Sequence, residues 1–391
     1  MDNPIWGADW AQVRANWTLD PEVTFLNHGS FGATPRCVLE LQSQLRAEME
    51  RQPVLFLDRT LRGKLDQSLA AVGSLLGTSP KNLAFVPNAT YGINSVVKSL
   101  DFGPGDELLI VEHGYGAIIK TLQCVADRTG AQVVLVSIPF PVESPDEIAT
   151  VVISALNERT RFVVIDQITS PTAMILPVKP IVDACRERGI YVMVDGAHAP
   201  GMLPFNLDAM APDFWSGNLH KWVCAPKGAA VLYVRPELAQ RIEPVVTSHN
   251  FGMKFPEEFF WTGTDDPTPY ICVRSAIEFI AGLGWARVHS HNHALARYGR
   301  RVVAELIGGG LPVPDSTEYY GSMAIVEFPS KVKFKTIEEA RAFQGRLYER
   351  YRIEVPMMVI DGRSLLRLSA QVYNAPGQYE RLGEALRAML K

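Results

Sequence analysis

Apolar residues recur along this chain with two periods, and the way the periods alternate divides the sequence. From about residue 79 to 234, short β-branched runs alternate with stretches of helical spacing. That is the pattern of βαβ units whose parallel strands are covered on both faces. The runs Glu107–Val111, Gln132–Ile138, Arg161–Asp166, Ile190–Asp195 and Ala229–Val234 predict strands. Between them, Pro145–Leu156 and Val178–Gly189 predict helices, the second ending in basic residues and a glycine stop. Upstream, helical spacing covers Cys37–Arg51 and Asp58–Leu76, joined through Gln52 and Pro53. Downstream of about Thr268 the pattern changes to long helices, Pro269–Leu283 and Gly284–Leu306, then a strand run Met323–Pro329, a helix Ile337–Tyr351 and a strand Leu365–Ala370. The expected fold class is α/β: a large domain built on a mainly parallel sheet, followed by a smaller α+β domain. Gly308–Gly310, with Pro312 and Pro314, reads as a loop and not a linker, because structured patterns resume within about ten residues.

Composition narrows the function classes. With 391 residues, 47% of them hydrophobic and 20% charged, the chain has ample material for a sizeable core, which excludes disordered and collagen-like readings. The net charge of -4 provides no electrostatic footprint for nucleic acid or an anionic membrane. Five cysteines are widely spread with no C-x-x-C pair, which argues against a disulfide framework or structural zinc and fits a reducing cytoplasm. The start, MDNPIWGADWAQ, lacks a basic segment and an apolar core, and no run of about 18 apolar residues occurs. A cytoplasmic protein with no membrane partner is expected.

In an open α/β sheet, ligands sit beyond the carboxyl ends of the strands. Two residues stand out there. Asp195 ends the run IYVMVD and is followed by Gly196, and Lys221 lies between His220 and Trp222 in WSGNLHKW. Alone, a strand-end Asp is a turn residue and a lysine beside Trp is a snorkelling one. Together they match what pyridoxal phosphate requires: an amine for a Schiff base, and an acid that keeps the ring nitrogen protonated so the ring acts as an electron sink. The phosphate needs backbone N–H groups at a helix start, and FVPNATYGINSVVKSL supplies one at Asn88-Ala89-Thr90. No G-x-G-x-x-G or Walker A sequence is present.

The segments NHGSFGATPR, NATYGIN, EHGYGA, DGAHAPG, GNLHKW, WTGTDDPT and LRLSAQVYN, in this order, resemble the class V aminotransferase-like branch of pyridoxal-phosphate enzymes, and within it the isopenicillin N epimerase-like proteins. The resemblance runs from about Leu26 to Leu382. It implies fold type I, with an N-terminal active-site segment over residues 1–35 packing on the small domain, a cofactor-binding domain over 36–267 and a small domain over 268–391. It implies that Lys221 forms the internal aldimine, that Asp195 pairs with the pyridinium nitrogen, and that His198, where many relatives have Gln, bonds the ring oxygen. Ala89 and Thr90, joined by Asn218 and His220, are implied to hold the phosphate; many relatives have Ser in place of Asn218. Tyr115, with His113 as the fallback, is implied to stack on the ring, and the Tyr115 hydroxyl is a candidate general acid. Gln167, with Thr169 and Ser170, approaches the ring oxygen in this reading. Gly263 and Thr264 resemble the segment that reaches the phosphate of a partner subunit, which implies a homodimer with composite sites. Arg367 resembles the clamp for the substrate carboxylate, and Asn27 and His28 the lining of the substrate mouth.

Other signals point nowhere. On a helix, His289, His291 and His293 do not share one face, so no metal is expected, and Gly29-Ser30 lacks the G-x-S-x-G context of a nucleophile elbow. The expected activity is loss of the Cα proton of a small amino-acid substrate, with Lys221 as base. Epimerisation or racemisation then needs an acid on the opposite face, Tyr115 or His28. The alternative is a C–S β-lyase. Persulfide chemistry is disfavoured, because VPMMVIDGRSLLR holds no cysteine where cysteine desulfurases of this class carry one. A catalytically inactive binding protein is the non-enzyme alternative.

Overall fold

The computed structural model describes residues 2–391. Twelve strands occur in chain order: β1 (Thr24–Phe25), β2 (Leu83–Val86), β3 (Glu107–Val111), β4 (Gln132–Val136), β5 (Thr160–Asp166), β6 (Tyr191–Asp195), β7 (Phe214–Asn218), β8 (Ala230–Val234), β9 (Met323–Glu327), β10 (Ile353–Glu354), β11 (Met357–Ile360) and β12 (Arg363–Ser369). Seven of them form one sheet in the order β2-β8-β7-β6-β5-β3-β4. Only β8 runs against its neighbours, antiparallel to both β2 and β7. The carboxyl ends of β2, β3, β5, β6 and β7 therefore open on the same edge of the sheet, and every one of them leads into a polar turn.

Side-chain alternation explains why this sheet is buried on both sides. Leu109, Val163, Ile165, Val192, Val194 and Trp215 join the core on one face. Their sequence neighbours Leu108, Phe162, Val164, Met193 and Phe214 join the core on the other. Successive residues of a strand point to opposite faces, so an unbroken apolar run is what a two-sided sheet needs. The edge strand β4 is the exception, with Gln132 and Leu135 exposed.

The second sheet is antiparallel, in the order β11-β12-β9. The helix Trp285–Ile307 packs beside it. The N-terminal segment is tied to this C-terminal half. Strand β1 pairs with β10, the Trp10 indole N–H donates to the Val372 carbonyl at 2.8 Å, and Trp6, Trp10, Val13 and Trp17 bury their side chains with Val288, Val372 and Tyr373. Two helices differ from the sequence expectation. The segment expected as one helix from Pro269 is split into Thr268–Ile271 and Val273–Leu283. The helix expected from Asp58 is entered through a π-type turn, Leu55–Thr60, and becomes α-helical at Leu61. Among the described residues no helix is long and apolar enough to cross a membrane.

Candidate active site

Lys221 lies in the loop Leu219–Ala229 that reverses the chain from β7 into β8, at the shared carboxyl edge. Two unrelated segments fix this loop. His28 contacts the Lys221 carbonyl through Nε2 at 2.9 Å and the Tyr373 hydroxyl through Nδ1 at 2.8 Å, with its ring 4.7 Å from that of Trp222. Gly32, at φ 72°, passes so close that an added Cβ would meet the His220 carbonyl oxygen at 2.0 Å. Gly201, at φ 79°, presses the same way on the Trp222 backbone at 2.6 Å. Both positions need glycine for its left-handed freedom and for the close approach.

The amine itself is 3.0 Å from His198 Nε2. The Trp222 indole N–H faces His198 Nδ1 at 3.5 Å, an arrangement that favours the tautomer with its proton on Nε2, donating to the amine. Burial drives the Lys221 ammonium down to about 7; the Arg367 charge adds to this, and Asp195 and Asp166 oppose it. His198 is held neutral by burial and then by the Lys221 charge. Burial also takes His220 down to about 4 and His28 to about 3. The Lys221 amine is thus available in its neutral, nucleophilic form near neutral pH.

Asp195 ends β6, buried, with Oδ1 accepting the Ala197 N–H at 2.9 Å. Desolvation raises its pKa to about 6, opposed by that N–H and by Lys221. Asn218 ends β7, and its Oδ1 accepts the N–H of Ala89 at 3.0 Å. The start of the helix Ala89–Ser99 is thereby stitched to the strand that delivers Lys221. Asn88 caps the same helix by accepting the Tyr91 N–H at 2.8 Å. This corrects one expectation: the Ala89 amide is engaged by Asn218, which leaves the amide and hydroxyl of Thr90 at the first turn. His220 donates from Nδ1 to the Ala229 carbonyl at 2.9 Å, so Nε2 is its remaining polar atom.

Arg367, on β12, is buried to 2% exposure. Its guanidinium donates to the Ser170 carbonyl at 2.5 Å, to Ser170 Oγ at 3.2 Å and to Ser30 Oγ at 3.1 Å. Among the described residues no carboxylate pairs with it, which removes the salt-bridge explanation for an arginine in an apolar strand. Burial lowers it to about 10, and the nearby Tyr115 hydroxyl opposes that shift. Tyr115 precedes the helix Gly116–Thr129 and is 45% exposed. His113, by contrast, is fully buried against Phe140 and bonded to Thr172 at 3.2 Å and Asp361 at 3.4 Å, which leaves Tyr115 as the ring free to cover a ligand.

Several expected residues are placed differently. His28 does not line a mouth: it is fully buried, and both ring nitrogens are engaged within the protein. Asn27 accepts the Ser30 hydroxyl at 2.5 Å and so steadies the turn that presents Ser30 to Arg367. Gln167 accepts the Trp215 indole N–H at 3.0 Å, a packing contact beneath the edge. Thr169 bonds Thr172 at 2.7 Å. Gly263 lines a separate apolar cleft with Pro87, Tyr91 and Trp261; neither it nor Thr264 bonds to the Lys221 cluster within one chain. The three histidines near 290 serve structure, facing the Gly201 carbonyl, Asn3 and the Tyr320 carbonyl.

Asp166 was missed. It ends β5 beside Asp195, fully in register with it, and its Oδ2 is buried without a hydrogen-bond partner. The strand-end pattern that singled out Asp195 applies equally to VVID in β5. Asp166 Oδ2 and Arg367 Nε are two of the buried polar atoms left without a partner, and both belong to this one cluster. An amine of lowered basicity, a strand-end acid, a helix start and an unpaired guanidinium are the donor set that pyridoxal phosphate and an amino-acid carboxylate need.

The fold and this set of groups define a pyridoxal 5'-phosphate enzyme of fold type I. The aminotransferase class-V family model matches residues 35–339, and the chain belongs to that family. It is 31% identical to isopenicillin N epimerase of Streptomyces clavuligerus, over 98% of each chain. It is also 31% identical to L-cysteine desulfhydrase of Arabidopsis thaliana, covering 94% of this chain and 88% of that protein. Among solved structures, a C-DES mutant with glycine covalently linked to its pyridoxal-phosphate cofactor superposes with a TM-score of 0.84 at 20% identity, covering 96% of this chain and 98% of the other.

Proposed function

We propose that this enzyme epimerises or racemises an α-amino acid by moving the proton at Cα. The observation that carries this reading is the buried Arg367 guanidinium, which bonds only Ser170 and Ser30 and has no carboxylate partner among the described residues, in the same cluster as the Lys221 amine and Tyr115. A carboxylate seated on that guanidinium brings its Cα between a base and an acid. Asp195 would hold the ring nitrogen of the cofactor, His198 its ring oxygen, and Thr90, Asn218 and His220 its phosphate. Pyridoxal phosphate, when bound, supplies an electron sink that acidifies the Cα–H bond. Lys221 takes the proton, His198 keeps the amine aimed, and Tyr115 returns a proton from the opposite face.

C–S β-elimination is the second reading. It is favoured by the engagement of both His28 nitrogens, which leaves Tyr115 as the only opposing acid among the residues considered, and elimination requires only the Lys221 base. Incubating the cofactor-loaded enzyme with a panel of L-amino acids in deuterated water separates the two. Deuterium at Cα with appearance of the other enantiomer supports epimerisation, and release of a keto acid with sulfide supports elimination. Absence of Cα exchange with every amino acid overturns both.

The active form is proposed to be a homodimer. Phe31, Phe251 and Met253 are exposed apolar side chains, Phe31 to 72%, and the Gly263–Thr264 segment is free to reach a second copy. Sedimentation as a monomer at micromolar concentration overturns this.

A further inference from the structure

The carboxyl edge of the main sheet holds two acids side by side. Asp166 and Asp195 are register partners at the ends of parallel strands β5 and β6. Register partners on parallel strands project to the same face, on chains about 4.8 Å apart. Both are buried, to 2% and 3% exposure. No cationic nitrogen lies within the 4.0 Å of an ion pair with either carboxylate among the described residues. Of the groups around them, His198, His28 and His220 are held neutral by burial, which leaves Lys221 and Arg367 as the cations. Asp195 has the Ala197 N–H on one oxygen; the Asp166 carboxylate faces the Tyr115 and its own backbone N–H groups, while its Oδ2 is enclosed without a hydrogen-bond partner. Two adjacent buried carboxylates cannot both keep their charge cheaply, and an enclosed oxygen with no donor is relieved by a proton of its own.

We propose that Asp166 is a positioning residue that holds a proton shared with Asp195, so that the floor of the site presents one negative charge, localised on Asp195, in place of two competing ones. Burial and the neighbouring Asp195 charge hold Asp166 well above the usual carboxylate range, and the pair titrates as a unit. The consequence for the cofactor rests on the reading that Asp195 faces the ring nitrogen. A neutral Asp166 spares that acid a rival anion, which strengthens its hold on a protonated ring.

The test has two arms. Infrared spectroscopy of the cofactor-free protein with isotope-labelled aspartate reads the carbonyl stretch of a protonated carboxyl group at pH 7. Wild type is expected to show it and Asp166→Asn to lack it. Absence from wild type, or persistence in Asp166→Asn, overturns the proposal; should the variant fail to fold, the wild-type band alone decides. In the loaded enzyme, the pH midpoint of the visible absorption is expected to move by about half a unit or more in Asp166→Ala and to return in Asp166→Asn, which keeps a neutral donor. An unmoved midpoint in Asp166→Ala overturns the positioning role. Failure of the underlying reading looks different: Asp195→Asn would then keep the wild-type spectrum and cofactor affinity, whatever the infrared band shows.

Discussion

The floor and the rim of the site are built differently. On the floor, His198, Asp195, Asp166 and His28 are buried and Lys221 is half-buried, and their carbonyls, rings and amides are fixed by segments drawn from across the chain. On the rim, Tyr115 is nearly half exposed. The floor sets the state of the amine and the acid, which are common to every reaction such a cofactor performs. On the proposed reading, the rim decides what is bound and where the proton goes afterwards. Equal likeness to an epimerase and to a cysteine desulfhydrase is what this division leads one to expect.

Changes on the floor have the largest expected effects. Lys221→Ala should abolish the visible absorption of the loaded enzyme and lower turnover by roughly three orders of magnitude or more. Retention of colour in that variant would break the comparison at its root. Gly32→Ala comes next: the left-handed backbone alone costs about 1–2 kcal/mol, and the added carbon meets the His220 carbonyl oxygen. It should lower the melting temperature and cofactor retention together. The pH dependence follows from the lowered Lys221 value of about 7. The neutral amine accumulates as pH rises, so the rate at which cofactor-free protein takes up pyridoxal phosphate should climb towards about pH 7 and level above it. A rate that keeps rising in proportion to hydroxide well past that point would contradict a buried, deprotonated amine.

Moving outward, Arg367→Ala should raise KM by roughly 100-fold, about 3 kcal/mol of lost carboxylate binding, without shifting the spectrum before substrate is added. Tyr115→Phe sharpens the comparison most finely. It should cut enantiomer formation by about 100-fold while Cα deuterium exchange falls far less, and equal loss of both would remove Tyr115 from the proton path.

Much of this was legible in the sequence because it is local. Asp195 ends an apolar run and Lys221 follows one, and the β-branched runs correspond to strands of the large sheet to within a residue or two at most ends. What sequence reading could not reach depends on register and return paths. Asp166 becomes significant only when β5 is laid beside β6 so that two strand-end acids meet. His28 reads as a polar residue in a motif until the chain returns 193 residues later with the Lys221 carbonyl for it to bond. The Ala89 amide looks free until Asn218 arrives from β7. Splitting of the helix near Cys272 was equally invisible, since the apolar spacing continues through it.

His28 and Ser30 occupy one four-residue turn, His28–Phe31. One of them grips the backbone of the amine-bearing loop, and the other steadies the guanidinium on the far strand. A tilt of that turn is transmitted to both at once, like a rocker under two pedals. Under the proposed reading, the grip on a carboxylate at Arg367 and the aim of the Lys221 amine are therefore coupled through this one turn.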